Sequence, residues 1–154
     1  MMENLERILS EHRFFHGLDK DFLELAAGCA KNVRFDAGQF IFHEGEAADQ
    51  FYLVREGRVA LQVSAPGRGA GIFLTIEPGE VFGVNWLVPP YRWVYDAKAL
   101  EPSRAISMDA RCLRNKCEAD HNLGYEIMKR LMPVLIERLH ETRLQYLDLY
   151  RSHA

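Results

Sequence analysis

The chain changes its apolar period twice. Residues 18–30 place Leu18, Phe22, Leu25, Ala26 and Cys29 at helical spacing behind Asp19, a residue suited to an N-cap, so a short amphipathic helix is predicted there. From Asn32 to Asp109 the period becomes two: Val59, Leu61 and Val63 alternate with Ala60, Gln62 and Ser64, and Ile72, Leu74 and Ile76 repeat the pattern. Breakers at Ala37-Gly38, Gly45, Glu56-Gly57, the Pro66-Gly67-Arg68-Gly69 tip, Pro78-Gly79 and Glu101-Pro102 space the strands at about 8–12 residues, the rhythm of a sandwich or jelly roll. The expected fold is mainly β with flanking helices: an eight-stranded antiparallel β-roll of jelly-roll type followed by a long C-terminal helix. Residues 1–31 form the N-terminal helices, 32–109 the roll and 110–152 the C-terminal helices.

After Asp109 the period is helical again, over Ala110 to Cys117 and then over Asp120 to about Tyr150, with Asp109 and Asp120 placed as N-caps. Met128, Met132, Leu135, Leu139, Thr142, Tyr146 and Leu149 step alternately by four and three, an a/d seam that asks for another helix alongside. No second long helix is predicted, so the seam packs either on the roll or on its copy in a second subunit. The helix outreaches a roll of this size, which favours a parallel homodimer through residues 121–150. Pro133, inside the seam, removes the backbone bond to Lys129 and is expected to kink the helix there.

A length of 154 residues suits a single domain spanning 1–154. A net charge of −3 argues against neutralising a polyanion, so no direct DNA binding is expected. Apolar runs such as Phe51 to Val54 fall far short of the roughly 20 residues a membrane helix needs, and Met1-Met2-Glu3-Asn4-Leu5-Glu6-Arg7 lacks the pattern of a secretory signal. These features point to a cytoplasmic protein without membrane contact. Cys29, Cys112 and Cys117 are odd in number and show no metal-ligand spacing, which favours reduced, buried thiols.

The stretch Ile41-Phe42-His43-Glu44-Gly45-Glu46-Ala47-Ala48-Asp49-Gln50-Phe51-Tyr52-Leu53-Val54-Arg55-Glu56-Gly57 combines an apolar pair, a Gly with a polar residue, a small residue, four apolar residues and a closing Gly. Gly45 and Gly57 suit turns with positive φ, and Phe51 to Val54 a strand buried on both faces. The stretch resembles the signature of the cyclic-nucleotide-binding sensor domain of the CAP/FNR family, with Phe42 where a smaller aliphatic residue is usual. The order of elements resembles that domain along nearly the whole chain. The resemblance implies a regulatory, non-enzymatic β-roll that holds its effector against the C-terminal helix and signals by a change in that helix. The family's transcription factors continue into a helix-turn-helix domain. Only Ser152, His153 and Ala154 follow Arg151, so a stand-alone sensor acting through an unidentified protein partner is expected.

The same resemblance places a ligand site at Phe82, Gly83, Val84, Asn85, Trp86, Arg92, Trp93, Val94 and Thr142. The family's phosphate cassette opens Phe-Gly-Glu and closes Arg-Ser/Thr-Ala; the Glu accepts a ribose hydroxyl, and the Arg with helix N-terminal amides holds the cyclic phosphate. Val84 stands where the Glu is expected, a loss of roughly 1–3 kcal/mol for a buried hydroxyl. Pro89 and Pro90 offer no N–H, Trp93 or Val94 replaces the Ser/Thr hydroxyl, and aligning through Ala97 and Ala99 shifts Arg92 by one, to the opposite face of its strand. Trp86, Tyr91, Trp93 and Tyr95 carry enough volume to fill a nucleotide pocket. Three readings stay open: a filled or ligand-free pocket, in which the domain is a protein-interaction scaffold; a different small anionic or aromatic ligand; and a cyclic nucleotide. The ligand is expected not to be ordinary cAMP or cGMP, and no cofactor is assigned.

Because β-rolls also carry cupin enzymes, a metal site is the rival reading, and it requires His and carboxylate ligands at fixed strand offsets. Only His43 falls on a predicted strand; His12 and His16, four apart, are the one pair that could serve a haem or metal sensor. No nucleophile elbow, P-loop or Rossmann fingerprint occurs, and an enzyme is not expected.

Overall fold

A computed structural model describes residues 4–65, 67 and 69–152. Met1 to Glu3, Pro66 and Arg68 of the expected hairpin tip, and His153 and Ala154 lie outside them. Two helices, α1 (Leu5–Glu11) and α2 (Lys20–Ala27), precede eight strands: β1 (Ala30–Phe35), β2 (Phe40–Phe42), β3 (Gln50–Glu56), β4 (Val59–Ala65), β5 (Gly69–Ile76), β6 (Val81–Phe82), β7 (Asp96–Ala99) and β8 (Ser103–Asp109). A short 3₁₀ helix, Val84–Leu87, follows β6, and α3 (Ala110–Ala119) and α4 (His121–Ser152) end the chain.

The strands form two four-stranded antiparallel sheets, ordered β1-β8-β3-β6 and β2-β7-β4-β5, whose inner faces make the β-roll. The expected turns occur where the breakers stand: Gly45 and Gly57 take φ of 90° and 89°, and a Cβ on Gly57 would meet the carbonyl oxygen of Pro102 at 2.6 Å. Phe51, Tyr52, Leu53 and Val54 are all buried, as a strand covered on both faces requires. The alternation expected along β4 and β5 fails halfway. The register shifts between Leu61 and Gln62, Ala60 and Gln62 are buried, and Val63 and Ile72 lie exposed towards the hairpin tip. A ladder irregularity of this kind re-aims the side chains beyond it, so the outer hairpin leaves the core.

Asp109 caps α3 by accepting from the Cys112 N–H, and Asp120 accepts from the N–H groups of Asn122 and Leu123. Asp19 stands at the N-cap of α2 without a side-chain capping bond. The helix α4 continues through Pro133 to residue 152. Leu123, Ile127 and Leu131 are buried against the rest of the chain, whereas the seam points outward, with Met128, Leu139 and Tyr146 53%, 52% and 66% exposed. The helix therefore lies along the roll with a different face from the seam.

The expectation of reduced thiols is overturned. Cys29, at the end of α2, is joined to Cys112 on α3 by a disulfide across 83 residues of sequence, and only Cys117 is free, its thiol pushed up to about 11 by burial. The odd count concealed a pair, because pairing depends on a tertiary approach that spacing does not report. Among the described residues no helix is long and apolar enough to cross a membrane.

Candidate functional site

The resemblance directs attention to the roll interior, bounded by β6, the 3₁₀ helix and the segment 88–95. Trp93 is held between Gly45 and Glu46 by backbone bonds, its N–H donating to the Glu46 carbonyl at 3.0 Å and its carbonyl accepting from the Gly45 N–H at 2.8 Å. Ala47 and Arg92 form an isolated antiparallel bridge. Pairing fixes the pleat, and the pleat decides which side chains enter. Trp93 and Tyr95 turn inward, while Arg92 and Val94 turn out. The Arg92 guanidinium donates to the Gly45 carbonyl at 3.0 Å and stays exposed, outside the interior.

Trp93 is 3% exposed and stacks on Phe42, with ring centroids 3.8 Å apart and planes 9° from parallel. Tyr52 and Phe82 stack beside them at 4.8 Å. Tyr95 meets Phe42 at 5.8 Å and Phe73 at 5.6 Å. A Cβ on Gly83, which has φ of 85°, would come within 2.9 Å of the Trp93 ring, so only glycine allows the indole this close to the cassette backbone. Phe42 departs from the family's smaller aliphatic residue at the very position that stacks on Trp93.

Val84 is half-buried and leaves no acceptor at the cassette opening; Asn85 is half-buried. Trp86 turns away from the roll interior into the core beneath the helices, where its ring packs on Phe51 at 5.5 Å and its indole N–H has no partner among the described residues. The next turn is clamped by Arg114 of α3, which donates to the Trp86 carbonyl at 2.5 Å and lies 4.0 Å over the Tyr91 ring. Thr142 is exposed and donates its hydroxyl back to the Arg138 carbonyl at 2.8 Å. Val84, Thr142 and Tyr95 do meet, around a void of about 100 Å³ also lined by Leu61, Phe73 and Arg138. Ligand pockets begin near roughly 300 Å³, so this residue of a pocket is too small for a nucleotide.

Arg138 was not singled out from sequence, yet it lines the void left in the interior. Its guanidinium donates to the Val81 carbonyl, tying α4 to β6. Burial holds its pKa below the ordinary value, while Tyr95, Glu80 and Glu141 act in the opposite direction. Burial likewise raises the Tyr95 hydroxyl, against the attraction of Arg138 and a hydrogen bond from the Gly83 backbone. A signal did exist: Leu123, Ile127, Leu131 and Val134 mark a stripe on which Arg138 is the next member, a cation on a core-facing row.

The haem or metal alternative loses its ligand pair. His12 is buried, accepts from the Phe14 N–H at Nδ1 and donates from Nε2 to the Val54 carbonyl at 2.9 Å, so neither nitrogen is free; His16 is exposed. Among the described residues no three His, Cys, Asp or Glu side chains gather as a metal site.

Residues 32–120 match the family described as the cyclic nucleotide-binding domain. Over 145 residues the chain is 28% identical to a CRP-like cAMP-activated global transcriptional regulator of Mycobacterium tuberculosis, covering 94% of this chain and 63% of the relative. The chain thus spans less than two thirds of that protein. A solved structure from Geobacter metallireducens, named as that of a cyclic nucleotide-binding protein, superposes with a TM-score of 0.79 at 31% identity, over 90% of this chain and all of the other. The catabolite activator protein of Thermus thermophilus gives 0.70 at 25% identity, over 90% and 63% of the two chains.

Proposed function

The chain belongs to the cyclic nucleotide-binding domain family, and we propose that it is a regulatory sensor domain of that family whose nucleotide pocket is occupied by its own side chains. The observation that carries this reading is the Trp93–Phe42 stack over Gly83. Turning Trp93 out to admit a nucleotide would expose roughly 200 Å² of apolar surface, about 5 kcal/mol or between three and four orders of magnitude in affinity. The absence of an acceptor at Val84 and the outward Arg92 take away the polar contacts that would offset it. Ordinary cAMP and cGMP are therefore not the ligands, and the domain performs no catalysis. Calorimetric titration with both nucleotides tests this. No saturable heat is expected up to about 1 mM nucleotide, and binding in the micromolar range overturns the reading.

The exposed seam supports a parallel homodimer with α4 as the output element, in which a shift of α4 against the roll passes the signal to a partner protein. Met128, Met132, Leu135, Leu139 and Tyr146 of the seam are 42–66% exposed, and a second copy supplies an identical stripe in register. Light scattering should give twice 17.8 kDa, and a Leu139→Asp variant the monomer mass with its circular dichroism unchanged. A monomer in the unaltered protein would sink the dimer. A cytoplasmic location and the lack of direct DNA binding by this segment are part of the proposal, the latter supported by the charge of −3. The Cys29–Cys112 disulfide pulls against the cytoplasm, where thiols are kept reduced, and thiol counting in lysates made under alkylating conditions decides that point.

A further inference from the structure

Outside the roll, a groove of about 410 Å³ runs between the middle of α4 and the turn that enters β6. It is several times larger than the void left in the interior and falls within the roughly 300–1,000 Å³ of small-molecule sites. Its floor is apolar, made by Phe14, Leu74, Val81, Pro133 and Val134. Its rim is not evenly charged. Lys129 and Arg130 stand on the turn of α4 before Pro133, whereas Glu137 and Glu141 stand on the turns after it; Glu80, Arg138 and Arg13, the last lying against Gly79, complete the charged lining. Lys129 and Arg130 share a single carboxylate, Glu126, at 3.8 and 2.9 Å. Arg13 has no carboxylate within ion-pair distance among the described residues. The Lys129 end therefore carries more positive charge than its neighbours neutralise, and it adjoins an apolar floor.

A second copy of the chain does not fill this space. At 100° per residue, Pro133 and Glu137 lie on the side of α4 roughly opposite the mean direction of Met128, Met132, Leu135 and Leu139, so pairing through the seam leaves the groove open. We propose that the groove is a binding site for a small amphipathic acid, with its anionic head at Arg13, Lys129 and Arg130 and its apolar body on Phe14, Val81, Pro133 and Val134. An occupant touches the entry to β6 and the middle of α4 at once, beside the bond from Arg138 to the Val81 carbonyl, and so bears on the seating of the helix without entering the roll. The site does not depend on whether the interior admits a nucleotide.

The test is calorimetric titration of the whole chain with decanoate, with decanol and decyltrimethylammonium as probes of the same body and a neutral or cationic head. Saturable binding of one decanoate per chain is expected, with about tenfold weaker binding of decanol and weaker still of the cation. Val134→Trp, which fills the groove, should abolish it, and Arg13→Glu, at an exposed position, should weaken decanoate by tenfold or more while leaving decanol unchanged. Absence of saturable decanoate binding, equal binding of the cationic probe, or binding indifferent to Arg13→Glu each overturns the proposal. The Arg13 variant keeps the test decisive should Val134→Trp fail to fold. A cAMP titration on the same samples separates this outcome from that of the interior, since a nucleotide response untouched by the groove variants bears on the roll alone.

Discussion

Strand β3 has an apolar cluster on each face, and the two are built differently. Phe51 and Leu53 point towards the helices and join Leu9, Phe15, Met108, Leu113, Leu123 and Ile127; Tyr52 and Val54 point into the roll and join Phe42, Phe82, Trp93 and Tyr95. The first cluster is largely aliphatic and seals α1 to α4 onto the sheet β1-β8-β3-β6, so its work is to hold the elements together. The second is aromatic and stacked in pairs, and it fills the interior of the roll. Jelly rolls and related barrels either fill their interior with side chains or keep a cavity, and here the filling is concentrated at the cassette.

The comparison can be tested at its strongest point with two truncations. Phe15→Ala, in the helix-side cluster and fully buried, should cost about 4 kcal/mol, whereas Trp93→Ala, beside the cassette backbone at Gly83, should fall at the low end of aromatic truncations, about 3 kcal/mol. Urea melts of both variants check this, and equal losses would show that the roll interior is ordinary core. The clamp on the first cluster comes next: reducing Cys29–Cys112 releases an 83-residue loop and should lower stability by about 3 kcal/mol, read as a drop in the denaturation midpoint with dithiothreitol that a Cys29→Ser variant does not show. No difference between oxidised and reduced protein would remove the disulfide from the account.

The smallest effect concerns His12, whose ring links the segment before α2 to Val54 on β3. Burial, the largest cause, with Arg13 and Arg55 adding to it, holds its pKa below 6.5, against the hydrogen bond to the Val54 carbonyl. The folded protein thus binds this proton less readily than the unfolded chain. The stability it contributes is complete above pH 6.5 and is lost as the pH falls from there through the depressed folded value. Between pH 7.5 and 5.5 the urea midpoint should fall more in the unaltered protein than in His12→Gln; parallel profiles would show that His12 does not titrate in this window.

Much of this was legible in the residues, for local reasons. The strand rhythm, the caps at Asp109 and Asp120, the turns at Gly45 and Gly57 and the doubly buried run Phe51 to Val54 follow from period and turn chemistry, which act over a few neighbours. The departures at Val84 and Arg92 were visible because the surrounding signature set a register. The alternation expected through Val63 and Ile72 breaks because the irregularity after Leu61 arises from pairing with β5. Arg138 was missed because its partner is a backbone carbonyl 57 residues away.

The amino-acid sequence by itself determined the order of elements, the β-roll and the a/d seam on its last helix. Tertiary structure decided the rest. Pairing of 91–93 with 45–48 sent Trp93 inward and Arg92 out, a choice that one residue of register reverses. Approach of α2 to α3 joined two of the three cysteines. The lie of α4 along the roll separated one face that packs from another that is exposed, and left between helix and roll the groove that no periodicity announces, because a concave surface belongs to several elements and to no single stretch of chain.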